Sequence, residues 1–457
     1  MAESLVRYTG HPFVDVGAAT LAIMAGKRRP EELLMKDLDR AADEMLDAYK
    51  TDEMRSYLST LFPNAAYVNP TMGEDKKLAF FETYVRAYRS NVDIGVPCVF
   101  TGVPAQVRIY RQHLPLITGE GIFNFLPDGQ PGLPVSGAAL LCIQAMPLGT
   151  LRSQGRALLV HSSANELTFD YAHEFFKMNR NKALIATLGK SGPSPKSIVL
   201  RQLPAIEAEV AREARHGRAE GVTVYHFTNY GTGANVEIYP LPAFIVSFLQ
   251  KVEGLQAWKK LVVYYWQAGK KDEPGPVRNF LYERVFDLPD NAGAFVHQFL
   301  LGRPAWGGKQ GPRATWELVD LFLREVLGME DSRIAVIRGI AQNLATYIAD
   351  TAHDARFFVR LFRCRSPREL RYLLLRANEL SARQDKGLII TLDQALELFQ
   401  LSEDIARPDW RLAWDLTLIH LMELLDEKGF LSTQEVKREL EQEPEPEEPE
   451  PVGVESN

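Results

Sequence analysis

The sequence predicts an α+β chain: a mixed α/β region over residues 1–315, an all-α helical bundle over 316–434 and a disordered acidic tail over 435–457. Three observations predict it. Helix-period and strand-like apolar patterns alternate through the first region, strand patterns nearly vanish beyond it, and the final residues repeat Glu and Pro. Such a tail buries too little apolar surface to offset its ordering entropy.

PEELLMKDLDRAADEMLDAY (30–49) spaces its apolar residues for an amphipathic helix. SIVLRQL (197–203), VTVYHF (222–227) and VEIYPL (236–241) read as strands. The richest apolar run, GAALLCIQAMPLG (137–149), is cut by Gln144 and Pro147 and falls short of the roughly 18 residues of a membrane span. Gly and Pro recur over 267–279 and 301–316, which places a domain boundary near 315. WELVDLFLREVLG, IAVIRGIAQNLATYIAD and WRLAWDLTLIHLMELLDEKGF then carry helix-period spacing. Ser366-Pro367-Arg368-Glu369 is a capping box with Pro in the first helical position, so a helix starts there.

The 457 residues are 46% hydrophobic, enough to bury two or three cores. The formal charge of −7 argues against a nucleic-acid partner until it is placed along the chain. Residues 435–457 hold nine Glu against Lys437 and Arg438, so the tail accounts for all of it and the body is neutral. Cys98, Cys142 and Cys364 have no Cys or His nearby, which excludes a disulfide framework and a Cys-rich metal site. With no signal-like N-terminus and no membrane span, a cytoplasmic protein is expected.

Catalytic motifs fail on inspection. Gly189-Lys190-Ser191 resembles the end of a phosphate-binding loop, but Leu184 stands where its first Gly is needed. Gly231-Thr232-Gly233 lacks the third Gly of a dinucleotide fingerprint. His353-Asp354 could offer two ligands to one metal, yet the only other bundle histidine is His420, at an apolar position. A binding protein is therefore favoured over an enzyme, with no cofactor.

Binding features are stronger. Between Arg356 and Arg376 lie seven arginines (Arg356, Arg360, Arg363, Arg365, Arg368, Arg371, Arg376) and one acid, Glu369, a charge of +6 in 21 residues. Arg356, Arg360 and Arg363 share one helix side, and guanidinium forks suit phosphate oxygens. A second basic set comprises Lys27, Arg28, Arg29, Lys76, Lys77, Arg180, Lys182, Arg303, Lys309 and Arg313, the last three around Trp306. Both sets are expected to grip nucleic-acid backbone. Two polar loops, FPNAAYVNP (62–70) and FTNYGTGANVEIYPLP (227–242), combine Asn with turn-forming residues. Amide donors on such loops can read the acceptor-rich minor groove.

Five segments together carry a family resemblance over almost the whole length: YTGHPFVDVGAATL (8–21), FPNAAYVNP, RQHLPLITGEGIFNFLPDGQPGLPVSG (111–137), QAMPLGTLRSQGRALLVHSS (144–163) and FTNYGTGANVEIYPLP. The chain resembles the large subunit of type I-B CRISPR Cascade surveillance complexes. The resemblance implies a non-catalytic subunit beside the crRNA and the other Cascade backbone subunits. Such a subunit checks the protospacer-adjacent motif on double-stranded DNA, helps open the R-loop and recruits a nuclease-helicase or transposition proteins. On that expectation Asn64, Asn69, Asn229, Tyr230, Gly231, Thr232 and Asn235 read the motif, and the arginine stretch holds the displaced strand.

The family's zinc-ribbon pattern is broken here: Cys98 remains, while Thr101, Ser136 and Ala139 occupy the other ligand positions, so no metal is expected. Related complexes also make a small helical subunit from an internal start, and Met329 opens a 129-residue segment of that kind. The alternatives are a metal-dependent nuclease centred on His353-Asp354 and a general single-stranded nucleic-acid-binding protein.

Overall fold

The computed structural model describes residues 5–117, 129–180, 192–212, 220–229, 234–267, 278–301, 305–306, 309–312, 314–398 and 410–441. The chain divides into two compact units, Met1–Asn291 and Ala292–Asn457.

In the first unit, α1 (Pro12–Met24) begins with Pro at its first position, where a missing N–H costs nothing. Asp15, in its first turn, accepts from the Thr9 N–H (2.7 Å), the Thr9 hydroxyl (3.0 Å) and the Gly10 N–H (2.9 Å). The entering chain is thereby folded back on the helix. Residues Phe13 to Ala22 are all buried, so α1 is a core helix. It crosses α5 (Gly137–Ala145), whose N-terminus is capped by the Ser136 hydroxyl accepting from Ala139 N–H (3.3 Å). The crossing is as close as backbones allow: a Cβ at Gly17 would lie 1.8 Å from the Cys142 carbonyl oxygen. Around it lie α2 (Met35–Ala48), α3 (Asp52–Leu61) and α4 (Glu74–Phe80).

A small antiparallel pair, β1 (Val107–Ile109) with β2 (Leu133–Val135), precedes α5. The main sheet is antiparallel, in the order β3 (Leu151–Ser153), β4 (Arg156–Ser162), β5 (Val222–Thr228), β6 (Asn235–Leu241). Ala157, Leu159 and Phe227 join α1 in one core, with the Phe13 and Phe227 rings 5.0 Å apart. Between β4 and β5 run α6 (Asn165–Arg180) and α7 (Pro195–Arg212). After β6 come α8 (Ala243–Val252), α9 (Gln256–Tyr264), the two-residue pair β7 (Trp266–Gln267) and β8 (Arg278–Asn279), and α10 (Phe280–Val285).

The second unit is helical, with one two-residue pair, β9 (Ala305–Trp306) and β10 (Lys309–Gln310), among its described residues. Its helices are α11 (Ala292–Phe295), α12 (Trp316–Glu325), α13 (Asp331–Ala345), α14 (Ala355–Arg363), α15 (Pro367–Ala382), α16 (Leu392–Leu398), α17 (Trp410–Glu427) and α18 (Gln434–Glu441). No described helix is long and apolar enough to cross a membrane.

The α+β class agrees with the sequence reading, and four expectations are corrected. SIVLRQL is helical, inside α7, because the Ser194 hydroxyl accepts from Ser197 N–H (3.2 Å) at the cap and Pro195 opens the first turn. Its Ile198, Val199, Leu200 and Leu203 are buried by tertiary packing, which overrides β-propensity. The unit boundary falls at 291/292 rather than near 315, since Phe295 stacks on Phe322 (5.2 Å, 2° between planes) within the second unit. The helical bundle extends past 434: α18 forms because Val436 is fully buried, while residues 442–457 lie outside the described set. The helix over 30–49 starts only at Met35, where Asp37 accepts the Leu34 N–H (3.0 Å). Of the capping box read at Ser366, the structure shows the half in which the Ser366 hydroxyl accepts from Glu369 N–H (3.2 Å).

Gly17→Ala is expected to destabilise the first unit by about 2–3 kcal/mol, because the clashing atom is backbone and has nowhere to go. Gly254→Ala, at an exposed turn where no atom lies within 4 Å of the added Cβ, is the control and should change stability by less than about 0.5 kcal/mol. Urea unfolding of the two variants measures the difference.

Candidate nucleic-acid interface

The two asparagine-bearing loops are far apart in sequence and meet in the fold. The Asn229 N–H donates to the Thr60 carbonyl (2.7 Å), and its side-chain amide donates to the carbonyls of Leu61 (3.2 Å) and Arg111 (3.4 Å). Arg111 returns a bond from its guanidinium to the Asn229 carbonyl (2.7 Å). The end of β5 is therefore stitched to the end of α3, from which loop 62–70 departs. Asn235, the first residue of β6, pairs across the ladder with Thr228 and is exposed beside this stitch. Asn64 is also exposed and takes a left-handed backbone (φ 70°), a conformation that Asn tolerates better than most residues.

The named residues divide by exposure. Asn64 and Asn235 face solvent. Asn229 does not: it is 0% exposed, so the motif-reading role expected of it is replaced by a positioning one. Asn69 is half-buried, its side-chain oxygen accepting from the Thr71 N–H (3.0 Å) and hydroxyl (2.8 Å) in a local turn. Tyr230, Gly231 and Thr232 lie outside the described residues.

Beneath the loops runs a buried polar relay that sequence reasoning missed. The Tyr67 hydroxyl, within loop 62–70, donates to the Gln144 side-chain oxygen (2.8 Å), and the Gln144 amide donates to the His113 carbonyl (2.7 Å). The Tyr49 hydroxyl donates to the Gln144 backbone carbonyl. Gln144 of α5 thus anchors both loop 62–70 and the segment carrying Arg111. His113 is stacked on Phe80 (5.2 Å, 9°), accepts the Tyr110 N–H at Nδ1 (3.1 Å), and burial pushes its imidazole down to about 3. The one signal available in sequence was a Gln interrupting an otherwise apolar helix.

The basic residues of the first unit are partly spent. Lys27 pairs with Asp37 (2.6 Å), Arg28 with the buried Asp170 (3.3 Å) while covering the Phe169 ring (5.0 Å), and Lys77 with Glu74 (2.7 Å). These contacts fix helices, and Arg28 in particular ties the turn after α1 to α6. Arg29, Lys76 and Arg180 are exposed, Arg180 above the Phe176 ring (5.9 Å). Arg180 and Phe176 line a mostly apolar cleft of about 300 Å³ together with Arg152, a basic residue that sequence reasoning did not select. Lys182, Arg303 and Arg313 lie outside the described residues, as does the side chain of Lys309 in β10.

The arginine stretch forms α14 and α15. Arg356, Arg360, Arg365, Arg368, Arg371 and Arg376 are exposed and Arg363 is half-buried, while Phe357, Phe358, Leu361, Leu370, Leu373 and Leu374 fill the core side. Arg356 pairs with Glu439 (3.1 Å) and Arg363 donates to the Leu440 carbonyl (3.1 Å), both on α18. Among the described residues, Arg360, Arg365, Arg368, Arg371 and Arg376 have no carboxylate partner.

The Cys98, Thr101, Ser136 and Ala139 positions converge in space. The Thr101 and Ser136 hydroxyls are 3.5 Å apart, and Ser136 caps α5 at Ala139. Burial raises the Cys98 thiol, but hydrogen bonds from Thr101 and Ser136 outweigh it and hold the thiol below its ordinary value. One sulfur and two hydroxyls do not make a zinc donor set. No group of three His, Cys, Asp or Glu among the described residues could hold a metal. His353 adopts a left-handed conformation (φ 45°) that ends one helical segment, and the Asp354 carboxylate accepts from Phe357 N–H (2.9 Å) to cap α14. Compared with known proteins, the chain matches no family model and no curated protein.

Asn229→Ala is expected to cost about 1–3 kcal/mol, since the buried Leu61 carbonyl and the part-buried Arg111 carbonyl lose their donor. Asn235→Ala should leave stability unchanged, and chemical denaturation separates the two. The unfolded chain binds a proton at His113 below about pH 6.5 that the folded chain refuses until about pH 3. Stability of the first unit is therefore complete above pH 6.5 and falls as pH drops below it, by about 1.4 kcal/mol per pH unit. Urea midpoints at pH 7 and pH 5 test this, and His113→Asn, which keeps an acceptor for Tyr110, should flatten the slope.

Proposed function

We propose that this chain is a non-catalytic, cytoplasmic DNA-recognition subunit, the large subunit of a crRNA-guided complex of the type I-B Cascade kind. In this reading, guide pairing supplies sequence specificity and the protein reads a short flanking motif on double-stranded DNA. The observation that carries the proposal is the stitch at Asn229. It brings together two loops whose hydrogen-bond partners are 168 residues apart and leaves Asn64 and Asn235 exposed beside it. Short amide donors of this kind suit the minor groove, where acceptors dominate. Asn229, Arg111 and Gln144 serve as positioning residues.

The arginine face of α14 and α15 supports a second half of the same role. Five guanidinium groups without carboxylate partners among the described residues form a phosphate-gripping surface for the displaced single strand. Recruitment of a nuclease-helicase or of transposition proteins, and assembly with the other backbone subunits, belong to the proposal through the sequence resemblance. A separately made helical fragment starting at Met329 belongs there too.

With the chain assembled on its guide complex, gel-shift assays compare targets that carry or lack the flanking motif. Asn64→Ala with Asn235→Ala should reduce motif discrimination while leaving assembly intact, and unchanged discrimination would reject the motif assignment. Arg360→Glu with Arg371→Glu should weaken binding to all targets alike. The log–log slope of binding against salt should become shallower by about 0.7 for each single-strand phosphate that the variant no longer neutralises. Binding independent of guide RNA and of the flanking motif would favour a general single-strand-binding protein.

A further inference from the structure

The carboxylate that pairs with the arginine stretch among the described residues, Glu439, belongs to the chain's own C-terminal segment. Helix α18 lies against α14: Glu439 pairs with Arg356 at 3.1 Å, and the Leu440 carbonyl accepts from Arg363 at 3.1 Å. The chain therefore leaves α18 at Glu441, beside the start of the arginine surface. Residues 442–457, which follow, lie outside the described residues and carry six glutamates and no basic side chain. The surface in front of them carries five arginines lacking a carboxylate partner among the described residues.

Length and charge both match. At roughly 3.1 Å per residue, the rise of a Pro-rich chain, sixteen residues can span at most about 50 Å. The sixteen-residue helix α15 is only about 24 Å long. Every exposed arginine is thus within reach, and a tether this short holds the glutamates at an effective concentration of about a millimolar or more. Individual exposed pairs are weak, but multiple carboxylates on one tether add without repeating the cost of association.

We infer that residues 442–457 dock across the arginine face of α14 and α15 as an intramolecular anion, which a single-stranded nucleic acid must displace to bind there. The docking itself stands on charge and reach alone; the displacement rests on the nucleic-acid reading given above. The ligand competition is between polyanions, so it is governed by ionic strength.

The test uses the full chain, a chain ending at Glu441, and a fluorescent peptide of residues 442–457. By anisotropy at low salt, the peptide should bind the shortened chain, bind the full chain at least about tenfold more weakly because the face is already occupied, and lose affinity as salt rises. Arg360→Glu with Arg368→Glu and Arg371→Glu, all exposed, should abolish peptide binding. The shortened chain should bind a thymidine oligonucleotide about tenfold more tightly than the full chain at low salt, with the gap closing near about 0.5 M salt. Replacing the six tail glutamates by Gln in the full chain should reproduce the shortened chain. Absence of peptide binding, or peptide binding indifferent to the three arginine substitutions, would overturn the docking. Peptide binding as expected with no oligonucleotide binding by either chain supports the docking and rejects the nucleic-acid reading instead. Equal oligonucleotide affinity for the two chains overturns the displacement.

Discussion

The contact between Gly17 of α1 and the Cys142 carbonyl of α5 is the constraint on which the first unit depends. Only a residue without a side chain lets two buried helices approach this closely. The approach fixes α5 in depth, and α5 carries Gln144. From Gln144, hydrogen bonds run outward to Tyr67 and to the His113 carbonyl, and so to both segments that frame the candidate interface. The same closeness recurs at Gly137, whose Cβ would lie 2.2 Å from the backbone at Ala87 and Tyr88, and at Gly149, 2.1 Å from the Thr20 hydroxyl. Core packing thus sets the position of the surface loops that frame the interface.

Electrostatics follow a different logic in each unit. In the first, several cations that look like ligand contacts are consumed by carboxylates: Lys27 by Asp37, Arg28 by Asp170, Lys77 by Glu74. The Asp170 carboxylate is nearly inaccessible, so Arg28 supplies the compensation that a buried charge requires. In the second unit the arginines stand outward on helices whose opposite sides are apolar, and most find no carboxylate among the described residues. An unneutralised face of this size is costly to keep through self-repulsion and becomes useful when an anion arrives.

The legibility of the chain varied with the locality of the signal. Capping at Ser366, the strands at 222–227 and 236–241 and the arginine face were readable because each rests on residues a few positions apart. SIVLRQL was misread because β-branched residues favour strands until packing in α7 decides otherwise. Residues 435–441 were misread because composition counts Glu heavily and gives one buried Val436 little weight. Asn229 looked like a reader of external ligands and is a buried brace; an asparagine's sequence neighbours do not disclose which carbonyls will face its amide.

By itself the sequence determined the α+β class, the helical character of the C-terminal region, the separation of an acidic tail from a neutral body and the concentration of arginine between Arg356 and Arg376. These are properties of composition and short-range periodicity, which one helix face or one strand suffices to express. Only the tertiary structure decided which polar residues are spent internally and which remain available. It buried Asn229, paired Arg28 with Asp170 and brought Thr60, Arg111 and Thr228 together. Those outcomes depend on the approach of segments more than a hundred residues apart, and that approach is set by how closely buried backbones can pack.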